Sequence, residues 1–515
     1  MYYISPDSKS DIGYMEAVVS KLMKRGVKVA DCAELHNELV ESREALKEQL
    51  YSKYGIVNPN SSQQVVAYIQ TLSKQVDLKV KNDIVNICYD DEGTGKWTSK
   101  ADALEKLADM GYDFAQDLLD YRHSKKYAET IESMLREVDE NGMIHPQVSI
   151  GRTNRVHYSK PALLNIPKEL VWRLIKPYST DKVLYSADIK NQEPNILINF
   201  TNAEELKPAL TSENGLYETM FSKCFTPRTV ANVLVDTLPE NRCYTSAELS
   251  KIGTVSPVYY KSFKADTDNL FYKDKRVVGI EVVCVGSTKG VKPDLPDTVG
   301  IEVENGDVYD VPVIWDEDTT KYKRSADYKL SGELQGLELK ISKAERKEFK
   351  TAWLAMSYGA SYKGIVENCK IIDGKRVYEY ITKINGLAQY RKYINEMIKK
   401  GHNVIRTAFG TPIYLDTNLD DKAMKRTLMN LPIQGTGADI LSLLIKRIED
   451  YTADKGLGDN IKLYFTRHDE LVLEVDKSFE SEVGTDKIRE IILDMLEHQI
   501  GNWVPFKLEV ERIGE

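Results

Sequence analysis

Two aspartates in β-type surroundings, far apart in the chain, constrain the fold more than any other feature. Asp188 closes the extended run VLYSAD, and Asp469 stands in LYFTRHDELVLEV, where apolar strands flank a polar turn. A gap of 281 residues separates them, so only a sheet assembled from distant segments brings them together. Two carboxylates converging from neighbouring strand ends suit a pair of divalent ions, because hard cations take oxygen ligands. Such a pair can activate an attacking hydroxyl and neutralise a leaving group.

The 515 residues around these acids suffice for about three ordinary domains. Residues 14 to about 135 carry helical periodicity in MEAVVSKLMKRG, ELHNELVESREALKEQLYSKYG and ADALEKLADMGYDFAQDLLDYRHSKKYAETIESML, with a loop at DDEGTG, Asp90 to Gly95. From about Val148, short extended pieces such as KVLYSADI alternate with further helix. Residues about 235 to 340 are rich in valine and isoleucine, as in RVVGIEVVCVG and VGIEVENGDVYDVPVIW, and LQGLELKI adds a later strand. Asn305-Gly306 is a type I′ hairpin signal. Structureless loops above about 15 residues are uncommon in compact domains, so this stretch is expected to fold as a small sheet or barrel. Helix returns from Ser342, and the chain closes with strand, hairpin, helix and strand.

A net charge of −9 argues weakly against nucleic-acid binding. Basic groups nevertheless cluster in Arg122 to Lys126, Lys343 to Lys350, Arg391 to Lys400 and Lys422 to Arg426. The six cysteines show no CxxC pair, so neither a disulfide framework nor a structural zinc is suggested. No apolar run of membrane-spanning length and no secretory signal is evident, and a cytoplasmic location is expected by default.

The segment SKAERKEFKTAWLAMSYG opens with Ser342 and Glu345 spaced as a capping box. Arg346, Lys350, Leu354 and Tyr358 then recur every four residues and share one helix face. Two cations a turn apart can grip a triphosphate, while Leu354 and Tyr358 offer surface to a sugar and base. This helix, with Tyr358-Gly359 at its end, resembles motif B of the family A DNA polymerases, the bacterial DNA polymerase I type. SADIKNQEPNIL resembles motif A, with Asp188 and Glu193, and RHDELVLEV resembles motif C, with His468, Asp469 and Glu470. RTLMNLPIQGTGADI is similar to the palm helix before motif C, carrying Arg426, Asn430 and Gln434. GRTNRVHYSKPALLNIP is similar to the segment that opens the palm, carrying Arg155 and Asn165. All five occur in the family's order.

The resemblance implies an α+β right-hand fold with an antiparallel palm sheet and a β-rich insertion in the fingers. It assigns residues 1–13 to an N-terminal segment, 14–135 to the thumb, 136–200 to the first part of the palm and 201–234 to the first part of the fingers. The insertion takes 235–340, the motif B part of the fingers 341–404 and the second part of the palm 405–515. Asp188 and Asp469, with the carbonyl of Ile189, would bind two Mg²⁺ ions, for which Mn²⁺ can substitute, and Glu470 would support them. Arg346 and Lys350 would contact the incoming phosphates, with Lys350 protonating pyrophosphate. Leu354, Tyr358, Gly359, Glu193 and His468 complete the nucleotide site, Glu193 packing where a ribose 2′ hydroxyl would sit. Arg155, Asn165, Arg426, Asn430, Gln434, Arg122 and Lys126 would touch primer-template DNA. The implied enzyme is a monomer using deoxynucleoside triphosphates, independent of membranes, with the insertion holding DNA or docking a replication partner.

The sequence departs from the family pattern at several positions. Leu354 replaces the family's usual aromatic, Tyr217 stands where the fingers generally present a histidine, and Ala162 and Leu164 occupy positions where polar residues are common. Thumb-like sequence begins by about Met23, so no proofreading exonuclease is expected in this chain. A single-subunit RNA polymerase shares the Arg, Lys and Tyr of the fingers helix, but Glu193 and Glu470 favour the DNA enzymes.

Overall fold

The computed structural model describes residues 22–513 except 23, 31, 91–95, 154, 236–240, 246, 247, 249–269, 282, 317–321, 323–326, 416–418 and 497–502. The first residues of the expected helical segment, 14–21, and most of the DDEGTG loop therefore lie outside the described residues. The chain divides into two compact units, Met1–Leu210 with Thr351–Glu515, and Thr211–Lys350.

The first unit begins with strand β1 (Val27–Lys28) and helices α1 (Ala33–Tyr54), α2 (Ser62–Gln75) and α3 (Leu78–Cys88). The short pair β2 (Tyr89–Asp90) and β3 (Lys96–Trp97), then α4 (Ala101–Asp109) and α5 (Asp113–Leu135), complete this section. Local signals set the ends: Ser61 and Asp77 accept the N–H groups of Gln64 and Val80 as N-caps. Gly55, at φ 68, stops α1 by turning its N–H back to the carbonyls of Leu50 and Tyr51. Val65, Ile69, Ile84, Leu104, Leu107 and Leu118 bury the inward faces in one core. Each such side chain contributes about 1.5–3 kcal/mol by leaving water. Next come β4 (Met143–Ile144), paired with β1, the hairpin β5 (Gln147–Ile150) and β6 (Val156–Ser159), α6 (Lys168–Leu174), β7 (Lys182–Lys190) and α7 (Gln192–Phe200).

The second unit opens with α8 (Leu216–Cys224) and β8 (Arg228–Val235). There follow β9 (Leu270–Tyr272), β10 (Lys275–Ile280), β11 (Val283–Ser287), β12 (Thr298–Val303), β13 (Val308–Trp315), β14 (Asp327–Leu334) and β15 (Glu338–Leu339). These eight strands form one sheet in the order β11-β8-β14-β13-β12-β10-β9-β15, antiparallel except for the β11–β8 pair. Its core is Val233, Val285, Ile301, Val303, Val311 and Leu330, the valine-rich runs of the sequence. The Asn305-Gly306 hairpin joins β12 to β13, but not through a type I′ turn. Only Gly306 has positive φ, 83, and its N–H donates to Val303 O at 2.8 Å, while Val303 N–H donates to Asp307 O at 3.0 Å. That is a type I turn followed by a left-handed glycine, which spares Asn305 the positive φ that type I′ demands. Of the LQGLELKI strand only Glu338–Leu339 pairs as a separate strand, since Gly336, at φ 76, breaks the run after Leu334 closes β14. Helix α9 (Lys343–Ser357) then crosses the division between the units.

Back in the first unit, α10 (Asn385–Lys399), the pair β16 (Val404–Arg406) and β17 (Pro412–Tyr414), and α11 (Asp421–Asp454) precede β18 (Ile461–Arg467), β19 (Glu470–Asp476) and β20 (Lys507–Ile513). Residues 423–454 of α11 are long and apolar enough to cross a membrane by length and composition, although they contain no unbroken apolar run of that length. Gln434, Thr436, Asp439 and Ser442 interrupt the apolar sequence, and 83% of the helix's most apolar stretch is buried inside the protein. Pro432 lies within this helix and cannot donate to the carbonyl of Leu428. The Tyr390 hydroxyl takes that place, 3.2 Å from both Leu428 O and Met429 O. Strands β18-β19-β7-β20 make a four-stranded antiparallel sheet. Of its two inner strands, β7 is buried from Val183 to Ala187, between β19 and β20.

Candidate active site

The hairpin of β18 and β19 turns through two residues, His468 and Asp469, because Arg467 pairs directly with Glu470. His468 takes φ 54, a left-handed backbone that costs a non-glycine residue on the order of 1 kcal/mol and is held by the hairpin around it. In the next ladder Glu470 lies opposite Asp188, and the Ile189 N–H reaches the Asp469 carbonyl at 3.4 Å. The distant aspartates of the sequence are thus neighbours, though Asp188 does not end its strand, which runs on to Lys190.

Their electrostatics follow from that proximity. Burial and then the Asp188 charge push the Asp469 carboxyl up to about 6. Burial also raises Asp188, against the pull of Lys168, with Glu470 and Glu509 adding repulsion. The Asp188 face of the sheet carries Glu470 on one side and Glu509 on the other. Among the described residues no group of three or more His, Cys, Asp or Glu is arranged to hold a metal.

Glu470 is almost completely buried, its side chain 3% exposed. Its Oε1 accepts from Ser186 Oγ and lies 3.1 Å from Lys168 Nζ, while Oε2 lies 3.6 Å from Arg467 Nη1. Lys168 Nζ is also 3.6 Å from Asp188 Oδ2. Ser186 and Arg467 lie within the segments already singled out around Asp188 and Glu470 but were assigned no role there, and Lys168 reaches the acids from α6, a segment with no such signal.

Glu193, in the first turn of α7, joins two more of the expected residues. Arg155 Nη2 donates to its Oε1 at 2.7 Å, and the Tyr358 hydroxyl donates to its Oε2. Tyr358 follows the last residue of α9, and Gly359, at φ 89, turns the chain there. The left-handed backbone favours glycine there, and a Cβ on Gly359 would lie 3.0 Å from Met429 Sδ, which would have to give way. The Ser342–Glu345 capping box forms as expected: Ser342 N–H donates to Glu345 Oε2 at 2.8 Å and Glu345 N–H to Ser342 Oγ at 3.2 Å. The face of Arg346, Lys350, Leu354 and Tyr358 is exposed or half-buried, while Phe349, Ala352, Trp353 and Met356 point inward. Within the β-rich unit Arg346 pairs with Glu218, and the ring of Tyr217 lies 5.8 Å from the Arg346 guanidinium and 5.5 Å from Lys350 Nζ. Sequence reasoning noted Tyr217 but missed Glu218 beside it.

Arg426, Asn430 and Gln434 recur at four-residue spacing on α11, and Asn430 Oδ1 is buried without a hydrogen-bond partner among the described residues. Asn165 ends the short 3-10 turn Leu163–Asn165, and its side chain lies outside the described residues. Arg122 differs from a free DNA ligand: its Nη1 donates to Ser99 O at 2.6 Å, and burial lowers its guanidinium from the usual range. Lys126 is exposed and, with Lys100, Arg122 and Lys125, lines a cavity of about 560 Å³ beside α5.

The sequence profile of DNA polymerase family A matches residues 29–233 and 329–513, and that of a bacterial Ig-like domain (group 4) matches 280–337. DNA polymerase I of Rhizobium leguminosarum is 21% identical over 416 residues, which cover 79% of this chain and 30% of that protein. DNA polymerase I of Aquifex aeolicus is 27% identical over 160 residues, 28% of this chain and 26% of that protein. The chain therefore spans less than a third of the length of these relatives. Among solved structures, the POL domain of Pol1 from M. smegmatis, in complex with DNA primer-template and dNTP, shares the fold with a TM-score of 0.58 at 18% identity, over 97% of this chain and 69% of that one.

Proposed function

Because this chain belongs to DNA polymerase family A, we propose that it adds deoxynucleotides to the 3′ end of a primer on a DNA template. The observation that carries this reading is the meeting of Asp188 on β7 with Asp469 in the β18–β19 turn, the Asp469 carboxyl being pushed up to about 6 partly by its neighbour. Two converging carboxylates fit divalent cations of the Mg²⁺ kind, which take one or two carboxylates and complete their shell with substrate phosphates. Asp188, Asp469 and the Ile189 carbonyl would hold two such ions, with Mn²⁺ able to replace Mg²⁺. When bound, they would supply charge stabilisation to the attacking and leaving oxygens of phosphoryl transfer.

The chain's own residues do the rest. Arg346 and Lys350, one turn apart, take the phosphates of the incoming nucleotide, and Lys350 gives a proton to departing pyrophosphate. Glu193, fixed between Arg155 and Tyr358, presents a rigid carboxylate against a ribose 2′ hydroxyl. Leu354, Tyr358 and Gly359 border the base and sugar, with His468 beside the nucleotide. Arg155, Asn165, Arg426, Asn430 and Gln434 touch the primer-template, where minor-groove acceptors common to all pairs test shape without reading sequence. Lys126 and, more weakly, Arg122 add phosphate contacts along the duplex. Residues 235–340 carry 14 Lys and Arg against 19 Asp and Glu. This balance favours docking of a protein partner with a basic face over a grip on DNA.

The test is primer extension in Mg²⁺ with deoxynucleotides or ribonucleotides, on wild type and on Asp188→Ala. Extension with deoxynucleotides alone, abolished by the substitution while duplex affinity is retained, supports the reading. Turnover by the variant near the wild-type rate would sink it.

A further inference from the structure

We propose that Lys168 is a positioning residue that neutralises Asp188 in the metal-free protein and competes with a divalent ion for it. The proposal rests on the reading that Asp188 and Asp469 hold such ions. Lys168 opens α6 directly after Pro167, and its ammonium stands 3.1 Å from Glu470 Oε1 and 3.6 Å from Asp188 Oδ2. The shorter contact is to the buried partner. Glu470, 3% exposed and also held by Ser186, is a fixed mount, whereas Asp188, 34% exposed, is free to turn to another cation.

The surroundings give the ammonium a reason to be there. Asp188 has Glu470 in register on β19 and Glu509 in register on β20, and Glu511 sits opposite Ser186 two residues along. Of the other nearby cations, Lys190 Nζ pairs with Glu509 at 2.8 Å and Arg467 faces the far oxygen of Glu470. Lys168 is thus the cation among the described residues that reaches both Asp188 and Glu470. A monovalent ammonium stabilises the crowded acids before a metal arrives, and the same positive charge opposes the metal's approach to Asp188. Its attachment to Glu470 lets it stay in place when Asp188 changes partner.

The sign of this effect separates positioning from mere structural support. Removing a supporting side chain weakens a site, but removing a competing cation tightens it. Mn²⁺ binding is measured by electron paramagnetic resonance of the free ion, on wild type, Lys168→Met, Lys168→Gln, Lys168→Arg and Asp188→Asn, alongside thermal melts in EDTA. Both neutral variants are expected to bind Mn²⁺ on the order of tenfold more tightly, and to melt lower than wild type in EDTA. Lys168→Arg should stay near wild type. Unchanged or weaker Mn²⁺ binding in the neutral variants, with Asp188→Asn still losing the site, would overturn the role of Lys168. Equal binding by wild type and Asp188→Asn would instead overturn the metal reading.

Discussion

Asp469→Asn should stabilise the protein in the absence of divalent ions even as it destroys activity. The substitution keeps the shape of the side chain and removes its charge from a buried position beside Asp188. A carboxyl moved from 3.8 to about 6 corresponds to about 3 kcal/mol of unfavourable ionisation in the folded state. Partial solvent access screens this to an expected gain of about 1–2 kcal/mol. The sign follows from linkage: with the folded pKa raised, the native state holds the proton more tightly than the unfolded chain does. The associated stability is fully present below 3.8 and is lost as pH rises through about 6. Wild type should therefore weaken across that window relative to the variant, which cannot ionise there, and the difference should be constant at higher pH. Urea denaturation in EDTA, followed by tryptophan fluorescence from about pH 4 to about pH 8, measures this directly. Added Mg²⁺ should then raise the stability of wild type more than that of the variant. Equal stability of the two proteins at about pH 8 in EDTA, or a gap that closes as pH rises, would refute the argument that Asp469 is strained by burial and by Asp188.

Three further outcomes are expected. Glu193→Ala should raise ribonucleotide incorporation relative to deoxynucleotide by at least about tenfold, equal to about 1.4 kcal/mol; an unchanged ratio in single-nucleotide kinetics would point to another gate. Tyr390→Phe should destabilise the first unit by about 1–2 kcal/mol, because the Leu428 carbonyl left open by Pro432 loses its donor; an unshifted denaturation midpoint would mean that water serves as well. Replacing residues 236–326 with a short Asn-Gly turn should preserve single-nucleotide addition, since Leu234 and Asp327 already pair across β8 and β14. Val233 and Leu330, which would lose their cover, are changed to Thr in the same variant. Product length per binding event in the presence of the organism's replication proteins should fall, and equal length would leave the segment a passive insertion.

Much of the candidate site was legible in the sequence because its signals are local. The Ser342–Glu345 box and the four-residue spacing from Arg346 to Tyr358 depend only on helix geometry, and both appear as the pattern implied. The polar turn at Asp469 is likewise fixed by the apolar strands that flank it, which must pair to satisfy their backbone groups. The valine-rich stretch announced a sheet for the same reason, that period and composition select strand over helix. Tertiary structure decided what these local elements meet. The strand order of the second unit, with β11 parallel to β8, depends on which edges are free once the other strands have paired. The shape of the Asn305-Gly306 turn was settled by the register of β12 and β13, which Gly306 alone could accommodate. The contacts of Lys168 with Glu470, Arg155 with Glu193 and Tyr390 with Leu428 join segments far apart in the chain. No periodicity records such contacts, because they arise from packing and register between elements rather than from the conformational preference of any one of them.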